Sequence, residues 1–225
     1  MNSEKTRQPI VILISGRGGN MRALVEQSRA ERAAYEVAKV FSDRPDAAGL
    51  ELARGLGIAA QALPAAGATD RAAYERGLAD AISDCSPALI VLAGFMRILS
   101  GQFVTRFAGR ILNIHPSLLP KFPGLHTHRR VLEAGDPEHG ATVHFVTEQL
   151  DGGPRVIQGR VAIASSDDET TLAARVQAVE HRIYPLAVRW FCEGRLRYAE
   201  GAAWLDGQIL RAPVQFTGAQ TREVS

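Results

Sequence analysis

Two polar side chains, Asn113 and His115, stand two residues apart in the apolar run RILNIH. At this spacing a strand points both side chains to the same face of its sheet. The run ends at His115, and open α/β sheets bind their ligands at the carboxyl ends of their strands. An amide and a protonated imidazole that face one point can both donate hydrogen bonds to a developing oxyanion. The pair therefore predicts a site that stabilises an oxyanion.

A carboxylate that could complete this site is Asp151, in the glycine-flanked sequence LDGGP. Beside His115 it would favour the imidazolium form and could help to move protons. Taken alone, an Asp before two glycines is better explained as a turn residue. The nucleophile motif G-x-S-x-G is absent from the sequence, so direct transfer without a covalent enzyme intermediate fits better.

The sequence SGRGGN, residues 15–20, follows the first apolar run PIVILI. Glycines at this place let backbone N–H groups approach a phosphate, and the helix that follows offers its positive end. The loop matches neither a dinucleotide fingerprint, whose third glycine would fall at Met21, nor a Walker A loop. A plain tight turn between strand and helix explains it equally well, and the loop alone does not decide between the two.

Histidines are concentrated in one part of the chain, and a metal site is one interpretation because histidine is a common ligand. The spacing argues against it, since H-E-x-x-H is absent and His126-x-His128 lacks an obvious third ligand. We therefore predict no metal. The clustered histidines are His115, His126, His128, His139 and His144.

The charges nearly balance but are unevenly placed. Lys and Arg number 26 and Asp and Glu 24, and this balance argues against a dedicated nucleic-acid-binding surface. Residues 86–132 hold six basic side chains and no acid, whereas residues 133–153 hold five acids and no Lys or Arg. A positive surface could collect an anionic substrate. The alternative is that most of these are ordinary solvated side chains.

Strands and helices alternate in the first half of the chain, which is typical of βαβ units with a parallel sheet. Asn20 is the expected N-cap of a helix that begins near Met21. The predicted strands cover 9–14, 35–41, 58–63 and 88–93, the predicted helices cover 47–56 and 70–84, and an Ala/Gly loop covers 65–69.

The second half mixes strands with one long helix. Residues 141–147 and 155–163 are predicted to be neighbouring strands after the strand 110–115. Ser166 and Glu169 match a capping box that opens a helix to about Phe191, with a kink expected at Pro185. The pair Asp206-Gly207 is a hairpin signal.

These elements predict a single-domain, Rossmann-like open α/β sheet, mostly parallel in its N-terminal half and mixed in its C-terminal half, with helices on both faces. The domain is expected over 9–210. The extensions 1–8 and 211–225 lack periodicity and are expected to be mobile.

Cysteine content and hydropathy bear on the compartment. Cys85 and Cys192 form no C-x-x-C pair, which suits a reducing compartment. The longest apolar run, 88–96, is too short to span a bilayer, and no apolar stretch of signal-peptide length precedes the first strand. We expect a cytoplasmic protein without membrane or nucleic-acid partners.

Four stretches together resemble the phosphoribosylglycinamide formyltransferase family, and the resemblance runs from about Pro9 to Leu210. It implies transfer of a formyl group from the co-substrate 10-formyltetrahydrofolate to the amine of glycinamide ribonucleotide in purine synthesis, without a metal, and it allows a homodimer. Formyltetrahydrofolate deformylase, or another formyl-folate-dependent transferase, is the alternative. The stretches are VLAGFMRILS, LNIHPSLLPKFPGLHTH, HGATVHFVTEQLDGGP and EHRIYPL.

The resemblance also assigns site residues. It places the catalytic set on Asn113, His115 and Asp151, with His144 in support. The family's loop is closer to SGNGSN, so here Arg17 adds a charge and Gly19 lacks a hydroxyl. The implied phosphate and ribonucleotide residues are Gly18, Gly19, Asn20, Gln177 and Glu180. The implied formyl-folate residues are Arg71, Met96, Arg97, Ile98, Leu99, Asn113, Thr147, Glu148, Gln149, Leu150 and Asp151.

Overall fold

The computed structural model describes residues 7–64 and 70–217. The predicted loop 65–69 and the ends 1–6 and 218–225 lie outside the described residues. The strands are β1 (Gln8–Ile14), β2 (Tyr35–Ser42), β3 (Ala60–Ala62), β4 (Leu89–Leu92), β5 (Ile111–His115), β6 (Glu138–Phe145), β7 (Arg155–Ala162), β8 (Leu196–Ala199), β9 (Ala202–Leu205), β10 (Gln208–Ile209) and β11 (Val214–Phe216). The helices are α1 (Gly19–Ser28), α2 (Ala48–Gly55), α3 (Arg71–Ser83), α4 (Gly101–Arg106), α5 (Thr127–Ala134) and α6 (Glu169–Cys192).

Eight of the described strands form one open sheet in the order β11-β7-β6-β5-β4-β1-β2-β3, and β8, β9 and β10 form a small second sheet. The strands β1 to β5 pair in parallel, whereas β6 pairs antiparallel with both β5 and β7. The predicted fold class is confirmed. Strand order reverses between β1 and β4, and open α/β sheets form their ligand crevice at such a point.

Helices cover both faces of the large sheet. The side chains of β1 divide between two apolar clusters, with Ile10, Ile12 and Ile14 on one face and Val11 and Leu13 on the other. α1, α2, α5 and α6 pack on the first face, and α3 and α4 on the second. Burial on both faces explains why this strand is continuously apolar instead of alternating.

The predicted start of α1 is wrong. The N-cap is Gly18, whose φ of 80° lies in the left-handed region, and Asn20 is already the second residue of the helix. Glycine tolerates this conformation without a Cβ clash, and a Cβ at Gly18 would lie 2.9 Å from Met21 Cε. The side chain of Asn20 is therefore free of the capping role and is available for a tertiary contact.

The predicted capping box of α6 is displaced by two residues. Asp168 is the N-cap; its side chain accepts from the Thr171 amide at 2.7 Å, and the Thr171 hydroxyl accepts from the Asp168 amide at 2.9 Å. Ser166 and Glu169 do not form the predicted box, because the Asp168 carboxylate is an equally good cap further along the chain. The helix continues through Pro185 as one element.

The C-terminal segment differs from its prediction as a mobile extension. Residues Val214–Phe216 pair in parallel with β7, Arg160 Nε donates to Gln215 Oε1 at 2.8 Å, and the Arg182 guanidinium lies 4.8 Å from the Phe216 ring centre. A three-residue strand is too short to show periodicity in the sequence.

The hairpin predicted at Asp206-Gly207 is confirmed between β9 and β10. Both residues have positive φ, as a type I′ turn requires.

Tyr184 connects α6 to the centre of the large sheet. Its hydroxyl is fully buried and lies 2.9 Å from the carbonyls of Leu92 in β4 and Leu112 in β5. Tyr184→Phe leaves both carbonyls without this donor, so we expect the free energy of unfolding to fall by about 1–2 kcal/mol. Urea unfolding of the two proteins measures this difference.

Tyr74→Phe is the matched control for that substitution. The Tyr74 hydroxyl is also buried, but within the described residues it has no hydrogen-bond partner. Removing an unpaired buried hydroxyl is expected to leave the stability unchanged or to raise it slightly. If the free energy of unfolding fell equally in Tyr184→Phe and Tyr74→Phe, the hydrogen bonds of Tyr184 would not contribute to stability.

Candidate active site

The predicted catalytic residues lie at the carboxyl end of β5, beside the segments that follow β1 and β4. Ser15, directly after β1, ties these segments together, because its hydroxyl donates to Asp43 at 2.6 Å and accepts from the Met96 amide at 2.9 Å. A cavity of about 460 Å³ opens at this edge of the sheet. Its walls come from residues 94–99, the end of β5, residues 124–128, and residues 146–151 after β6.

His115 is buried at the end of β5, with 8% of its side chain exposed. Its Nε2 lies 2.9 Å from the carbonyl of Phe122, and because a carbonyl can only accept, the neutral ring is assigned its proton on Nε2. Nδ1 then faces Asp151 Oδ2 at 3.5 Å. Burial lowers the pKa of His115, while the Phe122 carbonyl and the Asp151 carboxylate act in the opposite direction. Nδ1 is therefore the nitrogen that can take up a proton.

Asp151 is held in a fixed position although it lies in a loop. Its φ of 50° is unusual for a residue other than glycine, its side chain is 6% exposed, and the Gly124 amide donates to Oδ2 at 2.9 Å. Burial alone raises the pKa of Asp151, but the nearby imidazole of His144 and the hydrogen bond from the Gly124 amide hold it below its usual value. Asp151 is consequently an anion at neutral pH.

Asn113 is oriented by His144 on the neighbouring strand. The two residues pair across β5 and β6, and Asn113 Nδ2 lies 3.2 Å from His144 Nε2. His144 Nδ1 lies 2.9 Å from the Phe145 carbonyl, so Nε2 of the neutral ring is the acceptor for the Asn113 amide. The second N–H of this amide is not used by His144, and Asn113 lines the cavity. Asn113, His115, His144 and Asp151 thus meet as expected.

The residues predicted to contact the formyl-folate surround the same cavity, with one exception. Arg71 does not line it; instead Nε pairs with Glu75 at 2.9 Å and Nη2 donates to the Ile98 carbonyl at 2.6 Å, which braces the cavity wall from behind. The predicted residues that line the cavity are Met96, Arg97, Ile98, Leu99, Asn113, Thr147, Glu148, Gln149, Leu150 and Asp151.

The basic stretch 86–132 does not form one continuous positive surface. Arg106 pairs with Asp80, Lys121 with Asp136 and Arg129 with Glu169. Arg97 lines the cavity, and its guanidinium lies 5.0 Å from the Tyr74 ring centre. Most of these cations therefore have local partners. This favours the interpretation that they are ordinary surface side chains over that of a positive surface that collects an anionic substrate.

The predicted ribonucleotide residues form a second group, where the first turn of α1 meets α6. Asn20 Nδ2 donates to Glu180 Oε2 at 2.8 Å. A Cβ at Gly19 would lie 2.9 Å from Gln177 Nε2, so the missing side chain lets Gln177 lie against this turn. Gly18, Gly19 and Asn20 carry the N–H groups at the start of the helix, where an anion is favoured. The structure thus brings together all five residues of this set.

Glu180 is the one acid of this group, and its burial raises its pKa to about 7, against a smaller opposite effect of the Asn20 hydrogen bond. The proton is therefore held more tightly in the folded than in the unfolded protein between about pH 4.5 and 7. The stability that Glu180 contributes is present below pH 4.5 and is lost as the pH rises through 7.

Glu180→Gln removes this titration. As the pH is raised from 4.5 to 8, the free energy of unfolding of the variant should therefore rise by about 2–3 kcal/mol relative to that of the parent. Urea unfolding at both pH values tests this, and parallel pH dependence of the two proteins would contradict it.

Two backbone groups of the site were missed by the sequence analysis: the Phe122 carbonyl, which holds His115, and the Gly124 amide, which holds Asp151. The only sequence signal was the proline-rich loop that directly follows His115.

The clustered histidines that lie outside the catalytic group include His128 and His139, which form a hydrogen-bonded pair at 3.1 Å. Among residues 7–64 and 70–217, no three His, Cys, Asp or Glu side chains are grouped as metal ligands would be, and no helix could cross a membrane.

Comparisons with known proteins agree with this geometry. The family model described as "Formyl transferase" matches residues 8–188. The chain is 54% identical over 201 residues to the phosphoribosylglycinamide formyltransferase of Escherichia coli (strain K12), covering 89% of this chain and 95% of the relative. A solved phosphoribosylglycinamide formyltransferase from Coxiella burnetii superposes with a TM-score of 0.90 at 44% identity, covering 94% of this chain and all of the other. The phosphoribosylglycinamide formyltransferase of Haemophilus influenzae is 43% identical over 201 residues, covering 89% of this chain and 95% of the relative. The chain belongs to the formyl transferase family and is a formyltransferase.

Proposed function

We propose that the protein transfers the formyl group of 10-formyltetrahydrofolate to the amine of glycinamide ribonucleotide, a step of purine biosynthesis. The observation that carries this proposal is the meeting of Asn113, His115 and Asp151 in one cavity, at the same sheet edge as the anion-favouring start of α1. The first group suits acyl transfer through an oxyanion. The second suits the phosphate of the acceptor.

The formyl donor fits the cavity in size and character. A volume of about 460 Å³ is within the range of small-molecule sites. Met96, Ile98, Leu125 and Leu150 line it and are each more than half exposed. Exposed large apolar side chains around a cavity are typical of a binding site for a small-molecule ligand with apolar surface. The pterin and benzoyl parts of a folate would bury these side chains.

The reaction is a direct transfer. The neutral amine of the ribonucleotide attacks the formyl carbon, a C–N bond forms, and the carbonyl oxygen becomes an oxyanion. The free N–H of Asn113 and a protonated Nδ1 of His115 donate to this oxyanion. The bond from the carbon to the folate nitrogen then breaks, and that nitrogen receives the proton lost by the attacking amine, moved by Asp151 directly or through water.

The phosphate end of the ribonucleotide is held by a second group of residues, where the first turn of α1 meets α6. Its phosphate lies against the N–H groups of Gly18, Gly19 and Asn20, with Gln177 beside them. The carboxylate form of Glu180, which is favoured above about pH 7, accepts hydrogen bonds from polar groups of the same substrate. Positioning both substrates in one crevice supplies a large part of the rate.

A turnover assay with 10-formyltetrahydrofolate tests the proposal, with glycinamide ribonucleotide and water alone as the competing acceptors. We expect formylated ribonucleotide to form and the donor to be stable when the ribonucleotide is omitted. Donor consumption at the same rate without the ribonucleotide would favour the deformylase alternative.

The proposal includes the setting of the enzyme. We place it in the cytoplasm, without nucleic-acid or membrane partners, and we allow a homodimer. Every step is assigned to Asn113, His115 and Asp151, so activity is expected to survive dialysis against EDTA. Sedimentation at enzyme concentrations used in the assay distinguishes a monomer from a dimer.

A further inference from the structure

We infer that Arg130 is a positioning residue that sets the geometry of the catalytic pair His115 and Asp151 by clamping the loop 120–125. The inference rests on the proposed roles of these two residues. Arg130 itself is outside the cavity wall, and it reaches the reacting groups only through this loop.

One short loop carries both of the backbone groups that fix the pair. The Phe122 carbonyl accepts from His115 Nε2 at 2.9 Å, and the Gly124 amide donates to Asp151 Oδ2 at 2.9 Å. A movement of the loop therefore changes both contacts at once. The 3.5 Å between His115 Nδ1 and Asp151 Oδ2 depends on where the loop lies.

Arg130 holds this loop at three points. Its Nη1 donates to the Pro123 carbonyl at 2.6 Å and to the Leu125 carbonyl at 3.3 Å, which are the residues on either side of Gly124. Its guanidinium also lies 5.5 Å from the centre of the Phe122 ring. A planar guanidinium can make these contacts together, whereas a lysine ammonium on a flexible stem cannot reproduce them.

The start of the loop is anchored at Lys121, whose carbonyl accepts from the Ser117 hydroxyl at 2.7 Å and whose side chain pairs with Asp136, but its far end has fewer anchors. Leu125 is 68% exposed, and His126, which precedes α5, has a left-handed backbone and no side-chain capping bond. Arg130 is the fourth residue of α5, and the first turn of this helix contains no acid. A cation near a helix N-terminus is disfavoured by the helix dipole. The contacts with the loop offset this cost and explain why an arginine can lie there.

The substitution that tests the inference is Arg130→Lys, because it keeps the charge and removes the planar clamp. We expect kcat to fall about tenfold, with both KM values within about twofold of the parent. The groups that act on His115 are Asp151, His144, Arg130 and the Phe122 carbonyl. Since burial lowers the pKa of His115 and the Phe122 carbonyl and Asp151 raise it, loosening the loop alters these effects and should shift the NMR titration of His115 away from that of the parent.

A second readout does not depend on activity. The Gly124 amide is protected by Asp151, so its hydrogen exchange should be about tenfold faster in Arg130→Lys than in the parent. The matched control is Arg106→Lys. Arg106 also makes two side-chain hydrogen bonds, to Asp80 and Ser83, and lies 5.6 Å from the Phe107 ring centre, remote from the site. The Arg106→Lys variant should leave kcat, the NMR titration of His115 and the hydrogen exchange of the Gly124 amide unchanged.

The inference is overturned if Arg130→Lys leaves kcat and the His115 titration unchanged. It is also overturned if kcat falls while the titration and Gly124 exchange are those of the parent, or if Arg106→Lys loses as much activity. If the parent itself forms no formylated ribonucleotide, the proposed function fails. The titration and exchange measurements still test the clamp in that case.

Discussion

His115→Ala is expected to lower kcat about 100- to 1,000-fold, equivalent to roughly 3–4 kcal/mol of transition-state stabilisation. The substitution removes one of the two proposed donors to the oxyanion, a group that exists only in the transition state and the intermediate. Asn113 remains in place, because it is oriented by His144 and not by His115. We therefore expect the KM values of both substrates to change by no more than about twofold.

Steady-state kinetics with each substrate varied in turn measures this separation of kcat from KM. The control is His126→Asn, which removes another imidazole from the same cavity. His126 has a φ of 59°, which asparagine tolerates better than alanine. A parent-like kcat in His115→Ala, or an equal loss in His126→Asn, would remove His115 from the proposed mechanism.

Asp151→Asn is expected to lower kcat by about 100-fold or more, because the amide cannot accept and release a proton as a carboxylate does. The substitution keeps the shape and can still accept the Gly124 amide, so the loop should remain in place. The carboxylate raises the pKa of His115. The alkaline limb of the kcat profile, where His115 loses its proton, should therefore move to lower pH.

Rate measurements across the pH range test both parts of this prediction. Glu133→Gln is the control, since it removes one negative charge from the same acidic stretch, 133–153, at an exposed position of α5. An unchanged profile in Asp151→Asn would remove Asp151 from the proton chemistry. An identical shift in Glu133→Gln would assign the effect to net charge alone.

Long periodic elements were predictable from the sequence because burial on both faces of a sheet leaves a continuous apolar run. β1 and β4 were predicted for this reason. β2 was also predicted, and β6 and β7 were predicted as neighbouring strands from their alternating pattern, so that the mixed parallel and antiparallel sheet followed. The caps were predicted less well. Gly18, and not Asn20, caps α1, and Asp168 caps α6, because several residues near each start could serve and only packing selects one. β11 was missed because three residues carry no period.

The site was predictable to the extent that its side chains are chemically distinctive. Asn113 and His115 share a face by strand periodicity alone. Asp151 was a candidate from its place in LDGGP that the resemblance supported, and the resemblance supplied Glu180 and the cavity residues. Arg71 shows the limit of residue type, since its guanidinium is taken by Glu75 and the Ile98 carbonyl behind the cavity wall. A sequence states that an arginine is present, but not which group it meets.

The sequence by itself determined the class of fold, the identity of the proposed reacting groups and the strand on which two of them lie, because these depend on periodicity and on side-chain chemistry. Only the tertiary structure decided their protonation and orientation. The Phe122 carbonyl selects the nitrogen of His115 that carries the proton, and the Gly124 amide fixes the Asp151 carboxylate. Backbone groups are the same at every residue, so no sequence pattern marks them. Their effect depends on where the loop 120–125 is held, and Arg130 makes three of the contacts that hold it.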